Sequence, residues 1–184
     1  MRSHRDKYNL ILQEVARSGR QWNESISKQV FADESFADLN VESPDFGDFS
    51  WQGTLGVEAG QFVLSGKWKL QVPRACSKCN GVFVDVLSGE IDEHYIIEPK
   101  HEEMQAELEL TGNEPEALES GELDVLAALR EHFWLAWQPM VVCDRACKGL
   151  CLQCGVDLNK GSCDCHKQVK ENAFAALKNL KFDA

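Results

Sequence analysis

Residues 142–166 read VCDRACKGLCLQCGVDLNKGSCDCH, and this stretch holds six of the eight cysteines of the 184-residue chain. The other two lie upstream, in ACSKC at residues 75–79. The eight fall into four close pairs: Cys76 and Cys79, Cys143 and Cys147, Cys151 and Cys154, Cys163 and Cys165. Whether these thiols form a metal cage, disulfides or a redox centre decides how the rest of the sequence is interpreted.

The paired spacing favours structural zinc. A C-x2-C turn lets two thiolates face one ion, and two such pairs complete a closed tetrahedral site. The simplest partition has a local site (Cys151, Cys154, Cys163, Cys165) and a long-range site (Cys76, Cys79, Cys143, Cys147). We therefore predict one or two zinc ions. The partition stays open, because His166 is a possible substitute for Cys163 or Cys165. The identity of the metal also stays open, because an iron–sulfur cluster uses the same ligands.

The expected compartment disfavours disulfides, and the position of the C-x-x-C pairs disfavours a redox centre. Residues 1–15 lack the apolar region of a secretory signal, and no stretch is long enough to span a bilayer. We therefore expect a soluble cytoplasmic protein with no membrane contact, in which thiols stay reduced. A redox C-x-x-C of thioredoxin type begins a helix in a βαβ unit, whereas CSKC lies between predicted strands.

Charge is distributed unevenly along the chain. The formal net charge is −11, and residues 85–131 alone carry fifteen acidic residues against two basic ones. Such a chain is a poor general nucleic-acid binder, because that affinity comes from neutralising phosphates. A local contact with RNA or a partner is predicted at the basic residues around the cysteine pairs, and ordinary solvated charges are the open alternative. These residues are Arg145, Lys148, Lys160 and Lys167.

Hydrophobic periodicity predicts an α+β fold. Alternating apolar residues from Phe49 to Pro99 indicate an antiparallel sheet or small barrel of about four strands. Helices are predicted over 5–17, from the spacing of Tyr8, Ile11, Leu12 and Val15, and over Leu123–Pro139. The stripe of the second helix comprises Leu123, Leu126, Ala127, Phe133, Trp134 and Trp137, which we expect to pack against the sheet.

Three segments follow from these elements. Residues 1–30 are predicted to be an N-terminal helical segment, and 31–140 an α+β core with an acidic loop at 98–121. Residues 141–184 are predicted to be a cysteine-rich, zinc-knuckle segment with a short terminal helix near 172–182, part of the same domain. No HExxH pattern and no phosphate-binding glycine loop occurs, so we expect neither an enzyme nor a small-molecule substrate.

The order of these features resembles the YceD-like family, the large ribosomal RNA subunit accumulation proteins. The resemblance covers roughly residues 20–182, and its most specific element is CKGLCLQCGVDLN at 147–159. Matching positions are Cys76, Cys79, the 123–139 helix, Cys147, Gly149, Leu150, Cys151, Cys154, Gly155, Leu158, Asn159, Cys163 and Cys165. It implies a non-enzymatic role in 23S rRNA accumulation and large-subunit assembly.

The leading hypothesis is thus a zinc-stabilised factor for large ribosomal subunit biogenesis. Its partners would be a large-subunit ribosomal protein or assembly factor, with 23S rRNA as a further candidate. The acidic segment 85–131 suits a basic ribosomal protein, because opposite charge speeds encounter. A thiol redox or metal-handling protein and a nucleic-acid-binding zinc ribbon are the alternatives.

Overall fold

A computed structural model describes residues 7–97 and 115–165 of the chain. These residues belong to two compact units. The first unit comprises the described residues up to Arg74 and the described residues between Phe83 and Pro139. The second comprises Ala75–Val82 and the described residues from Met140 onward, and it contains all eight cysteines. The boundaries predicted at residues 31 and 141 stay predictions.

Seven strands are present in the described residues. They are β1 Asn9–Ile11, β2 Arg20–Ile26, β3 Phe49–Glu58, β4 Gln61–Ala75, β5 Val82–Ile97, β6 Glu116–Leu118 and β7 Glu122–Asp124. Five form one sheet in the order β2-β3-β4-β5-β6, in which β2 and β3, and β3 and β4, pair antiparallel and β6 pairs parallel to β5. Strands β1 and β7 form a separate antiparallel pair. The α+β class is confirmed, but the main sheet is mixed and has five strands.

The β3–β4 hairpin shows why this part of the sequence folds into a sheet. Its inward residues alternate with exposed ones, and the buried pairs Trp51 with Trp68 and Leu55 with Leu64 lie directly opposite each other. The two-residue turn is Ala59-Gly60, with φ of 48° and 85°. Positive φ at both positions gives a turn whose twist matches the strands, which fixes the register of the hairpin.

The described residues contain three α-helices: α1 Leu12–Val15, α2 Lys28–Phe31 and α3 Val125–Ala136. A 3₁₀ turn at Glu34–Phe36 follows α2. Helix α3 begins two residues after the predicted Leu123, because the Asp124 carboxylate accepts hydrogen bonds from the N–H groups of Leu126 and Ala127. This N-cap satisfies donors that the first turn leaves free.

Helix α3 buries one face in an aromatic core. Phe133 is fully buried, and its ring centroid lies 5.0 Å from that of Phe36 and 6.4 Å from that of Trp68. Trp134 and Trp137 are half-buried at its border. The predicted packing stripe is therefore largely present, with two corrections: Leu123 belongs to strand β7, and Ala127 is exposed.

The predicted helix at 5–17 is mostly wrong. Residues 9–11 form strand β1, the helix α1 has only one turn, and residues 20–26 form strand β2, so the described part of 1–30 is not a helical segment. Tyr8, Leu10 and Leu12 are all buried, whereas Ile11 is 47% exposed. Burial at every second residue is the pattern of a strand, and pairing with β7 selects it.

The acidic loop predicted at 98–121 is only partly within the described residues. Residues 116–118 form strand β6 rather than loop, and 98–114 lie outside the described residues. The predicted terminal helix near 172–182 and Lys167 also lie outside them. Among the helices of the described residues, none is long and apolar enough to cross a membrane.

Candidate metal centres

Two knuckle turns with the same hydrogen-bond pattern present the C-x2-C pairs. In the first, the N–H of Asn80 donates to the carbonyl of Cys76 at 2.8 Å, and the N–H of Cys76 donates to Gly81 at 2.9 Å. In the second, Gly155 donates to Cys151 at 2.9 Å, and Cys151 donates to Val156 at 2.8 Å. The two turns at 76–81 and 151–156 therefore share one backbone design.

Each knuckle needs a left-handed residue directly after its second cysteine. That residue is Asn80, with φ of 56°, in the first knuckle and Gly155, with φ of 73°, in the second. Asparagine and glycine are the residues that adopt this conformation most readily. Gly149 also has positive φ, at 75°, and a Cβ there would lie 3.0 Å from the carbonyl oxygen of Lys78. Glycine is thus required at Gly149 by conformation and by close approach.

The first knuckle meets the segment that follows α3 to form the long-range group, which consists of Cys76, Cys79, Cys143 and Cys147. The N–H of Ser77 donates to the carbonyl of Val141 at 2.8 Å, and the N–H of Val141 donates back to the Ser77 hydroxyl at 3.1 Å. A turn then places the last ligand, since the N–H of Cys147 donates to the carbonyl of Asp144 at 3.0 Å.

The sulfur geometry of the long-range group fits a tetrahedral ion. Its four Sγ atoms lie within 4.8 Å of one another, with 3.8 Å between Cys76 and Cys147 and 3.8 Å between Cys79 and Cys143. A Zn–S bond of about 2.3 Å gives sulfur–sulfur edges of about 3.8 Å in a tetrahedron. A disulfide requires about 2.05 Å, and all eight cysteines are free.

The second knuckle forms the local group with the last cysteine pair. The Sγ atoms of Cys151, Cys154, Cys163 and Cys165 also lie within 4.8 Å of one another. This group closes within fifteen residues of chain and is more exposed than the long-range group, since only Cys151 is buried. The structure thus brings the eight cysteines together in the two sets of four that the simplest partition names. Their role as metal ligands stays a prediction.

Backbone amides prepare the first sulfur of each knuckle for ionisation. The N–H of Cys143, with smaller contributions from those of Cys79 and Lys78, lowers the pKa of the Cys76 thiol to about 6. The N–H groups of Cys154 and Gln153 lower the pKa of Cys151 to about 6 in the same way. Each knuckle therefore supplies one thiolate near neutral pH.

The neighbouring thiols of each group resist a second ionisation. The hydrogen bond with Cys76 and then burial raise the pKa of Cys143 to about 12. The hydrogen bond with Cys154 and then burial raise the pKa of Cys165 to about 12. Four thiolates are compatible with this spacing only around a cation, and zinc binding would release the remaining protons. Four protein sulfurs leave no coordination position for water, so each ion would be structural.

An outer layer of polar contacts supports the sulfurs, and the cysteine spacing alone gives no sign of it. The side-chain amide of Asn159 donates to Sγ of Cys147 at 3.4 Å, and its Oδ1 accepts from the N–H of Lys148 at 2.8 Å. Asp157 holds this amide in place, since its Oδ1 accepts from Asn159 Nδ2 at 2.8 Å. Asn159 stands in the most family-specific element of the sequence, which was the one signal available to find it.

The predicted RNA or partner contacts are exposed where the structure describes them. Arg145, Lys148 and Lys160 all lie in the second unit with exposed side chains. The ammonium of Lys160 lies 3.6 Å from the carboxylate of Asp157, so part of its charge is already balanced. These positions are accessible to a partner, and their role stays a prediction.

The fold and the site define a cysteine-rich α+β protein with two four-thiol groups suited to structural metal. The chain belongs to the family described as "Large ribosomal RNA subunit accumulation protein YceD", which matches residues 64–181. The matched range contains all eight cysteines and helix α3. The resemblance inferred from the sequence is therefore confirmed.

A plant relative is similar to part of the chain. The "Large ribosomal RNA subunit accumulation protein YCED homolog 1, chloroplastic" of Arabidopsis thaliana is 40% identical over 60 residues. The matched stretch spans 33% of this chain and 19% of the relative, so the chain matches about a fifth of the relative's length. No solved structure matches the chain.

Proposed function

We propose that this protein is a non-enzymatic factor, stabilised by structural zinc, that supports large ribosomal subunit biogenesis and accumulation of 23S rRNA. The family match over 64–181 is the observation that carries the proposal. The cytoplasm is the proposed location, because its reducing conditions keep the eight cysteines free.

Charge supports a protein partner more than extensive RNA binding. Residues 85–131 carry a net charge of −13, from two basic and fifteen acidic residues. The described second unit has four basic residues, Lys78, Arg145, Lys148 and Lys160, and three aspartates. Two zinc tetrathiolates, each of net charge −2, would make the net charge of this unit negative. A basic large-subunit ribosomal protein or an assembly factor is the proposed partner, with 23S rRNA touched only at the exposed cations.

Depletion of the protein tests the role. Sucrose-gradient profiles and 23S rRNA levels should show fewer large subunits after depletion, with wild-type complementation restoring them. A complementing gene with Cys79→Ser and Cys154→Ser together should restore less, because both four-thiol groups then lose a ligand. Unchanged subunit profiles and 23S rRNA in the depleted cells would refute the proposal.

The RNA contact is tested separately. The triple variant Arg145→Ala, Lys148→Ala, Lys160→Ala is compared with Lys67→Ala, Lys69→Ala, which removes charge from strand β4. If the cations of the second unit touch rRNA, crosslinking to 23S rRNA falls in the triple variant only, and more salt lowers the wild-type signal. Equal crosslinking in both variants would remove these residues from the proposal.

Metal content separates this proposal from the redox alternative. Native mass spectrometry of gently purified protein should find about two zinc ions per chain, as two closed tetrathiolate sites require. Thiol labelling at pH 7 should be slow while the metal is bound and fast after a chelator is added. Rapid labelling with no bound metal would favour a redox protein instead.

A further inference from the structure

We propose that the two four-thiol groups bind zinc cooperatively, with Asn159 as the positioning residue that couples them. This rests on the structural zinc of the proposed function, and it specifies how one group controls the metal affinity of the other.

The two groups share one short segment of chain. Cys147 of the long-range group and Cys151 of the local group are four residues apart, with Lys148, Gly149 and Leu150 between them. The local knuckle therefore starts where the long-range group ends. A displacement of this segment moves a ligand of each group.

The shared segment, residues 147–151, is hydrogen-bonded on one side to the first knuckle. The N–H of Leu150 donates to the carbonyl of Lys78, between the two cysteines of that knuckle, at 2.9 Å. The ammonium of Lys78 reaches the carbonyl of Cys147 at 3.4 Å. Gly149 fits against the Lys78 backbone because it has no Cβ.

On its other side the segment is bonded to the loop that closes the local group. The N–H of Leu158 donates to the carbonyl of Gly149 at 2.9 Å, and Leu150 forms an isolated bridge with Asp157. Residues 155–162 of this loop lie between Cys154 and Cys163. Metal in the local group would tie both ends of the loop to one ion, which removes most of its freedom.

Asn159 carries the effect from that loop to the other group. Its amide N–H donates to the sulfur of Cys147, and a hydrogen bond of this kind favours the thiolate over the thiol. Polar groups that contact metal ligands typically contribute about 10- to 100-fold to metal affinity. With the local group empty, the loop no longer fixes Asn159, and the long-range group loses this support. Because coupling is reciprocal, zinc in the long-range group strengthens the local group by the same factor.

Counting zinc per chain tests the proposal. Wild-type protein is titrated with a zinc chelator, and native mass spectrometry measures chains with two, one and no ions. Two independent sites leave at least about half of the chains singly loaded at half saturation, whereas tenfold coupling of equal sites leaves about a quarter. We expect a singly loaded fraction clearly below half in the wild type.

Variants assign the coupling to Asn159. Asn159→Ala keeps all eight thiols and should raise the singly loaded fraction to half or more. Asn159→Asp keeps the Oδ1 acceptor for Lys148 but loses the N–H donor to sulfur, and should behave like Asn159→Ala. Asn23→Ala is the matched control, since it removes an exposed asparagine amide on strand β2, outside both four-thiol groups, and should titrate like wild type.

A Cys154→Ser variant gives the complementary measurement. Without a complete local group, the long-range group should lose its zinc at a chelator concentration at least about tenfold lower than in the wild type. The proposal is wrong if the long-range group of Cys154→Ser gives up its zinc at the same chelator concentration as in the wild type, if Asn159→Ala titrates like wild type, or if neither group binds zinc. Because no ribosome is involved, these failures are distinct from a failure of the assembly role.

Discussion

Replacing Arg74 by methionine should destabilise the protein strongly, although it exchanges one long side chain for another. The Arg74 side chain is only 4% exposed and donates to Asp85 at 2.9 Å. A second nitrogen donates to the carbonyl of Gln138, and the guanidinium lies 3.8 Å from the ring centroid of Trp137. Methionine still covers the tryptophan ring but leaves the carboxylate and the carbonyl without their donor.

The expected loss can be estimated from these contacts. Removing one partner of a buried ion pair destabilises by about 3–5 kcal/mol. Asp85 is 25% exposed, so water partly replaces the lost partner and the lower end of that range applies. We expect a loss of about 3 kcal/mol, or a fall in Tm of roughly 6–12 °C for a chain of this size.

The two members of the pair should respond differently. Asp85→Asn keeps the shape but leaves the guanidinium, the more buried charge, facing a neutral group. It should therefore destabilise at least as much as Arg74→Met, and the double variant should be more stable than additivity predicts by about 1 kcal/mol or more.

Urea denaturation with zinc added in excess measures these changes. The matched control is Lys67→Met, which breaks another ion pair between the same strands: Lys67 and Glu90 lie 2.7 Å apart but are 74% and 73% exposed. An exposed pair contributes at most about 1 kcal/mol. Equal loss of stability in Arg74→Met and Lys67→Met would refute the argument from burial.

Three further predictions follow from other parts of the molecule. Phe133→Ala should lower the free energy of unfolding, measured by urea denaturation, by about 3–5 kcal/mol, because alanine leaves a cavity in the aromatic core. Phe133→Leu should lower it by clearly less. Equal losses in the two variants would mean that the core closes around either residue. Cys79→Ser should lower the zinc content from two ions to one, measured by native mass spectrometry; two retained ions would remove Cys79 from the ligand set. Burial opposes ionisation of Glu24, but hydrogen bonds from Lys7 and Tyr8 hold its pKa below the usual 4.5. The stabilisation by the Glu24 carboxylate is thus present above pH 4.5 and is lost as pH falls through the folded-state pKa. In Glu24→Gln the free energy of unfolding should therefore fall less steeply with decreasing pH in this range. Parallel curves for the variant and the wild type would show that Glu24 does not contribute to the pH dependence.

Local sequence patterns were sufficient to predict the elements that depend on local contacts. The β3–β4 hairpin was visible in its alternating residues, and helix α3 was visible in its apolar stripe and in the Pro139 that follows it. The grouping of the cysteines followed from spacing, because a C-x2-C knuckle fixes two sulfurs through its own backbone hydrogen bonds.

The secondary-structure predictions that were wrong concern elements whose partners are distant in sequence. Strand β1 pairs with β7, so Leu10 lies opposite Leu123, more than a hundred residues away. Helical spacing and strand alternation are nearly indistinguishable over the few residues involved, and the distant partner decides between them. The contact of Asn159 with Cys147 was hidden for another reason: the two residues are only twelve apart, but the contact depends on how the loop between them folds.

The separation of the cysteines along the chain also sets an order of events during synthesis. The local group spans residues 151–165, whereas 64 residues separate Cys79 from Cys143. At about 5–20 residues per second, the first knuckle emerges from the translating ribosome roughly 3–13 s before Cys143 emerges. During that interval Cys76 and Cys79 are an unshielded dithiol on the nascent chain, open to oxidants and to stray metal ions.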